Sequence, residues 1–458
     1  MPNEFADIVV LIPGITGSVL ERNGREVWGT SIESVLRGLF SGGQSIQDLL
    51  LENDDPDADD IGDGVRATRL VNDVHLFPGL WAIDGYTKVA ARLRQRLRLS
   101  PGSNYYELPY DWRRDNRVAA RTLQRESAQW LRLRRVTHPD AKLVLVAHSM
   151  GGLVARYFLE VLGGWRDTRA LVTFGTPYRG SVNALDSLVN GVRKAGILDL
   201  TELTRSFTSI YQLLPIYPCL DVGNGALVRL CEADGIPRLN QKQLGRVRAA
   251  EAFHRQIERA VDTNQTSVAA GAIRYTIRPV VGIDQPTTQT AIRRSDAVEL
   301  LRSRNGTDES GDGTVPRVAA TPIEAGEGQA AFAAARHGSL QNADAVLAHV
   351  QGVLTTPRDL GNVRAVGAPI TLSLDIDGIF ASQEPIQFAV RPSVSAVPLE
   401  VVIGSTNGST PGRSLTLAAS DDEWVRRELP PLPAGVYRMT ITGDPTQVEP
   451  ASEIFAVA

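Results

Sequence analysis

The run from Lys142 to Gly163, KLVLVAHSMGGLVARYFLEVLG, constrains the fold more than any other part of this chain. A β-branched apolar stretch, KLVLVA, runs straight into Ala147-His148-Ser149-Met150-Gly151. The chain then continues with Leu153, Tyr157 and Leu162 on related faces of a helix. Strand, tight turn and helix with a serine at the apex is the sequence form of a nucleophile elbow. The turn demands small residues two before and two after the serine, and Ala147 and Gly151 supply them. A serine hydroxyl is a poor nucleophile at neutral pH, so it must be held outward beside a base, with a helix N-terminus behind it. Ser149 is therefore the candidate nucleophile, and the backbone N–H of Met150 points at the place where a carbonyl oxygen would gain charge.

The surroundings agree with that reading. DIVVLI (7–12), RALVTF (169–174) and RYTIRPVVGI (274–283) are further short apolar runs. Between them lie amphipathic patterns, with Val89, Leu93 and Leu97 on one face of 85–99 and Leu123, Trp130 and Leu131 in 115–135. Strands alternating with helices predict a parallel sheet covered on both faces, and a nucleophile elbow on such a sheet fits an α/β-hydrolase fold. Its second oxyanion donor comes from the loop after an early strand. Pro13-Gly14-Ile15-Thr16-Gly17 stands there, which makes the Ile15 N–H the candidate.

In this fold the acid and then the base follow the serine. His337 falls in a loop after an Ala-rich strand candidate and just before a helix, where a base reaches the sheet's carboxyl edge. His254 sits in a charged helical pattern and reads as a surface or satisfied histidine; His349 lies one helical face further on and reads as packing or surface. Asp312 in Ser-Gly-Asp-Gly-Thr-Val-Pro is the candidate acid, because its flanking glycines let a tight loop turn the carboxylate inward. Asp308 and Glu309 are alternatives without that setting. A carboxylate is needed there to fix the imidazole tautomer and stabilise the imidazolium. His148 is expected to point away from the serine and is set aside as base. No cofactor is implied, and no His/Asp/Glu cluster has metal-ligand spacing.

From about residue 364 the helical pattern is lost. ITLSLDID (370–377) alternates strictly, and six more short runs follow, punctuated by Gly, Pro, Asn and Asp. Roughly seven strands in about 95 residues predict a small β-sandwich, and LPAGVYRMTITG is similar to the closing strands of immunoglobulin-like modules. The acidic stretch 52–63 lacks calcium-loop spacing and reads as a solvated loop.

Of 458 residues, 43 % are apolar, enough for a large core and against disorder of the whole chain. With 48 Lys plus Arg against 52 Asp plus Glu, the charge balance gives no support for nucleic-acid binding. No apolar run approaches a membrane span. MPNEFADIVV has an acidic residue where a secretory signal needs a basic one, so a cytoplasmic location is expected. Cys219 and Cys231 do not make a disulfide scaffold and are expected to be free thiols.

Five ordered segments resemble the lecithin:cholesterol acyltransferase family, which includes lysosomal phospholipase A2 and phospholipid:diacylglycerol acyltransferase. They are LIPGITGSVLE (11–21), LPYDWRRD (108–115), LVAHSMGGLVARYFLE (145–160), FGTPYRGS (174–181) and GDGTVP (311–316). RSFTSIYQLLP (205–215) and VVGIDQPTTQTAIR (280–293) match more loosely. The resemblance implies Ser149 as nucleophile, Asp312 as acid and His337 as base, with Ile15 and Met150 as oxyanion donors. It implies an α/β-hydrolase domain over 1–360 with cap insertions at about 22–80 and 181–275. The sandwich at 364–458 lies outside it. Tyr110, Asp111, Trp112 and Arg113 correspond to the family's structural YDWR, with Trp112 also considered for the acyl track.

A lipid or other ester is the implied substrate, reached by peripheral contact with a lipid surface through an apolar docking face. Val35, Leu36, Leu39 and Phe40 beside Ser41-Gly42-Gly43 are one candidate face; the apolar residues between Ile197 and Leu214 are another, with cap core as their plainer reading. The expected activity is that of a serine-dependent lipid acyl hydrolase or acyltransferase. The alternatives are an esterase or lactonase for small soluble esters, and a latent effector-type hydrolase whose sandwich binds a protein partner.

Overall fold

The computed structural model describes residues 4–29, 48–72, 75–77, 81–194, 198–268, 275–325, 329–355, 370–394, 397–406, 412–418 and 424–457. The lid candidate Val35 to Gly43 lies outside the described residues, as does Ile197.

Six strands form the central sheet: β1 (Ile8–Ile12), β2 (Tyr105–Glu107), β3 (Leu143–His148), β4 (Thr168–Phe174), β5 (Thr276–Gly282) and β6 (Ala331–Ala333). They lie in the order β6-β5-β4-β3-β1-β2, and every neighbouring pair is parallel. The expected runs at 7–12, 142–147, 169–174 and 274–283 are β1, β3, β4 and β5. β1 and β3 are buried at every residue, which explains why they read as unbroken apolar runs, whereas β5 is buried only from Pro279 onward. Ile8, Val10 and Ile12 of β1 join Leu143 and Leu145 of β3 in one core; Val9 and Leu11 join Val144 and Val146 in the other. Helices α1 (Thr87–Leu97) and α5 (Asp344–Thr355) cover the second face with Val89, Leu93, Leu97, Val346, Leu347 and Val350. On the first face, α2 (Asn116–Arg134) buries Leu123 and Leu131, and α3 (Gly151–Glu160) buries Leu153 and Val154. The α2 pattern begins at Asp115, whose carboxylate accepts from the Arg117 N–H as an N-cap. The long α4 (Gln241–Val268) adds Val247, Phe253, Ile257 and Val261 to that core.

Leu200, Leu203, Phe207, Ile210, Tyr211, Leu213 and Leu214 are all buried in the same core, so this apolar stretch is packing and not a docking face. Thr290–Arg293 and Val298–Leu301 join Leu220–Asp221 and Leu227–Val228 in a four-stranded sheet. The acidic stretch is more than a solvated loop. Asp54 pairs with the Arg114 guanidinium at 2.9 Å, and the carbonyls of Asp55, Ala58 and Asp59 accept three more of its N–H groups. A buried guanidinium must find such acceptors, and here the acidic loop wraps around one.

The C-terminal residues form two further sheets. One orders β7 (Leu372–Ile376), β9 (Ile386–Pro392) and β12 (Val425–Leu429). The other orders β8 (Ile379–Phe380), β14 (Ala451–Val457), β13 (Gly435–Thr442), β10 (Pro398–Ser405) and β11 (Arg413–Ala418). Leu372, Leu374, Phe388 and Val390 from the first meet Val401, Met439, Ile441 and Phe455 from the second in a separate core, which makes a β-sandwich. The seven expected strands are all present, and β8 is an eighth that its two residues left without a readable alternation.

Candidate active site

Ser149 leaves β3 with φ 51°, in the left-handed region that costs an L-residue about 1–2 kcal/mol. Three contacts hold it there. Its N–H donates to Phe174 O (2.8 Å), and its carbonyl accepts from the Thr176 hydroxyl (3.0 Å) and the Gly152 N–H (3.0 Å). A side chain at Gly151 would run into the backbone carbonyls of Pro13 and Ile12, which is the physical content of the small-residue requirement there.

The structure brings Ser149, His337 and Asp312 together. Ser149 Oγ lies 2.8 Å from His337 Nε2, and His337 Nδ1 lies 2.7 Å from Asp312 Oδ2. The other Asp312 oxygen accepts from the N–H groups of Thr314 (2.9 Å) and Val315 (2.7 Å), which fixes the carboxylate plane. His337 N–H also donates to Asp312 O at 2.8 Å, so acid and base loops are bonded through backbone as well. All three side chains are buried. Gly175, with φ 54°, passes so close that a Cβ there would sit 2.7 Å from Asp312 Oδ2 and 2.9 Å from His337 Nδ1. With Asp312 accepting from Nδ1, the free Nε2 lone pair faces the serine hydroxyl, the arrangement a base needs to take its proton.

Among the described residues, the N–H groups of Ile15 and Met150 have no hydrogen-bond partner. Met150 opens α3, and Gly14 packs against the Ser149 side chain, so both N–H groups flank the serine. The loop that carries Ile15 is strongly pinned. Thr16 takes φ 61°, Trp28 Nε1 donates to Thr16 O (2.9 Å), Gly17 N–H donates to Gly14 O (3.1 Å), and Tyr110 Oη donates to Pro13 O (2.9 Å).

Of two residues near this loop, Tyr86 carries no mark in the sequence and His148 is expected only to point away from the serine. The Gly14 N–H donates to Tyr86 Oη at 2.7 Å, which leaves the Tyr86 proton for His148 Nδ1 at 2.9 Å. The His148 ring proton then sits on Nε2 and donates to His337 O at 3.1 Å. His148 does not accept from the serine, as expected. It does not simply point away, however: it ties the Pro13–Gly17 loop to the loop that carries His337. Burial, helped by the nearby His337, lowers His148 from 6.5 to about 3, so its ring stays neutral and the direction of the chain of bonds is fixed. The signal was a polar side chain closing an otherwise apolar buried strand, since such a group must be partnered. Nothing in the pattern of 85–99 marked Tyr86.

The other candidates stay outside the cluster. His254 is buried and satisfied, its Nε2 donating to Gln212 O (2.8 Å), and burial lowers it to about 4. Asp308 accepts from Gln289 and from the Ser310 N–H, and Glu309 faces Arg304. His349 lines a cavity of about 150 Å³ between the α/β layer and the sandwich, with Asp284 and Glu449. Tyr110 and Trp112 of YDWR brace the segment from Pro13 to Ser18. Trp112 Nε1 donates to Ser18 O (3.1 Å), and its ring, fully buried, meets Trp28 and Phe207 edge-on. The Arg113 guanidinium, also fully buried, pairs with Asp111 (2.6 Å) and Asp63 (2.7 Å). Cys219 and Cys231 are free thiols. Among the described residues, no group of three or more His, Cys, Asp or Glu is placed to hold a metal ion, and no helix is long and apolar enough to cross a membrane.

Comparison with known proteins finds the lecithin:cholesterol acyltransferase family model matching residues 85–291. Ser149 and Met150 fall inside that stretch; Ile15, Asp312 and His337 fall outside it. A human protein, lysosomal phospholipase A and acyltransferase, is 33 % identical over 126 residues, which is 25 % of this chain and 29 % of that protein. Its rat counterpart is 32 % identical over 124 residues, with the same coverage of 25 % and 29 %. The chain thus aligns with less than a third of these relatives' own length. Among solved structures, the mature form of the Bacillus licheniformis lipase BlEst2 is 12 % identical with a TM-score of 0.37, covering 78 % of this chain and 95 % of that one.

Proposed function

We propose that this protein is a serine-dependent lipid acyl hydrolase that works through an acyl-serine intermediate, with acyl transfer to a lipid alcohol as the branch that competes with water. The observation that carries this reading is the line Ser149 Oγ, His337 Nε2, His337 Nδ1, Asp312 Oδ2, with separations of 2.8 and 2.7 Å, beside the unpaired Ile15 and Met150 N–H groups. In the proposed cycle His337 takes the serine proton as Oγ attacks the ester carbonyl. The two N–H groups hold the oxyanion, worth about 2.7–4 kcal/mol each. The imidazolium, stabilised by Asp312, returns the proton to the leaving alcohol. Water or a second alcohol, deprotonated by the same ring, then releases the acyl group.

The likeness of residues 85–291 to the lecithin:cholesterol acyltransferase family supports a lipid as the ester, and hydrolysis is favoured because water needs no second binding site. The same proposal divides the chain into a hydrolase part, 1–360, with cap insertions at 22–80 and 181–275, and the sandwich at 364–458. It places the protein in the cytoplasm, in peripheral contact with lipid, and leaves the outer faces of the sandwich for a protein partner.

Fluorophosphonate labelling of wild type, Ser149→Ala and His337→Ala tests the chemistry. Label is expected on wild type alone, with turnover down about 10⁶-fold in Ser149→Ala. Strong labelling of Ser149→Ala on another serine overturns the site. Rates on a phospholipid that jump above its critical micelle concentration support the lipid assignment; equal rates on soluble short-chain esters point to a small-ester esterase.

A further inference from the structure

We propose that the C-terminal sandwich is a working part of the active site, holding acid and base in register through two positioning residues, Gln285 and Arg336. This inference rests on the reading of Ser149, Asp312 and His337 given above.

Arg336 immediately precedes His337, yet its side chain turns toward the sandwich. Its guanidinium donates to Leu374 O on β7 and pairs with Glu453 on β14, so it grips one strand from each of the two sheets. Gln285 does the same for the acid. Its buried amide donates to Leu372 O (3.0 Å) and accepts from the Leu374 N–H (3.1 Å), pairing with β7 as a backbone unit would. Its own backbone bridges to Asp312, and its N–H donates to Gly311 O at 3.0 Å. Thr287, two residues on, donates its hydroxyl to Gln285 O (2.8 Å) and accepts from the Gly313 N–H (2.8 Å). The loop around Asp312 is therefore cradled by a segment that is itself held by β7.

A third tie reaches the base from another side. Arg438 on β13 pairs with Asp84, whose N–H donates to Gly338 O at 2.9 Å. The joint is not densely filled: the cavity of about 150 Å³ lies within it, beside Asp284 and Thr371. Alignment across such a joint depends on directional bonds more than on apolar packing. A displacement of about 1 Å at a reacting group costs on the order of 10²-fold in rate.

The experiment measures kcat and KM of full-length Gln285→Leu and Arg336→Met on a soluble p-nitrophenyl ester, with active sites counted by fluorophosphonate titration. Per titrated site, kcat is expected to fall at least tenfold with KM within twofold. Arg336→Lys recovers part of the loss. Arg302→Ala, which removes only the exposed pair with Asp375 on β7, keeps wild-type kcat. An interface that merely stabilises the fold lowers the number of titrated sites and the melting temperature, but leaves kcat unmoved for each remaining site; that result overturns the proposal. Should either main variant fail to fold, Ser373→Ala, which loses one hydrogen bond to Asp284 O, decides by the same readout. If wild type itself takes no label at Ser149, the functional reading fails and not the clamp alone.

Discussion

Replacing Tyr86 by Phe removes one hydroxyl and leaves the ring in place. That hydroxyl accepts from the Gly14 N–H at 2.7 Å and donates to His148 Nδ1 at 2.9 Å, and both partners are buried. Each group left without a partner costs about 1–3 kcal/mol, so about 2–6 kcal/mol of stability is expected to be lost. The catalytic effect follows from the position of Gly14. It precedes Ile15 in a loop whose other ties, at Pro13, Thr16 and Gly17, survive the substitution. The Ile15 N–H is then misaimed and not removed, and the loss is bounded above by about 2.7–4 kcal/mol, the cost of deleting one oxyanion donor. A fall in kcat between tenfold and 10³-fold is expected, with KM for a short soluble ester within twofold, since the hydroxyl is buried between Gly14 and His148. Steady-state rates on a p-nitrophenyl ester, normalised by active-site titration, together with urea unfolding, read both quantities. A Tyr86→Phe protein with kcat within twofold of wild type would show that the loop needs no help from this bond, and the reasoning would be wrong.

Gly175→Ala is expected to fold at a cost of about 1–2 kcal/mol for its positive φ, but to lose at least 10²-fold in kcat, because the added methyl pushes on both Asp312 and His337; full activity with an unchanged melting point refutes the close approach. Acid lability follows from His148 and His254, lowered to about 3 and about 4 by burial. Between pH 6.5 and about 4 the unfolded chain holds protons that the folded one does not, so stability rises with pH, is complete above 6.5 and is lost as pH falls. The slope is about 1.4 kcal/mol per pH unit for each ring. Urea melts of His254→Gln between pH 4.5 and 6.5 are expected to show the slope reduced by that amount, and an unchanged slope contradicts the assignment.

The strands and helices of the α/β layer were legible because their burial demands patterns that sequence displays directly. β1 and β3 are buried on both faces and read as solid apolar runs; α1 and α2 are buried on one face and read as stripes. Ser149 was legible because the elbow restricts residue size at two fixed offsets. Asp312 and His337 were legible through their flanking glycines and neighbouring elements. What stayed hidden depends on contacts between segments far apart in the chain. Tyr86 bonds Gly14 across 72 residues, and no local pattern records such a pairing. The acidic stretch looked like a solvated loop because its partner, Arg114, lies about 55 to 60 residues away. Arg336 and Gln285 looked like ordinary polar residues for the same reason, since the strands they grip lie well downstream.

The distances along the chain set an order of assembly. Ser149 is synthesised 188 residues before His337, and the braces on the histidine's loop come later still, at Leu374, Arg438 and Glu453. A ribosome releasing this chain from its N-terminus would expose the strand, the elbow and the helix behind it well before anything could deprotonate the alcohol. Until residue 337 had emerged the serine would have no imidazole within reach, and until residue 453 had followed, the loop that carries that imidazole would lack its braces.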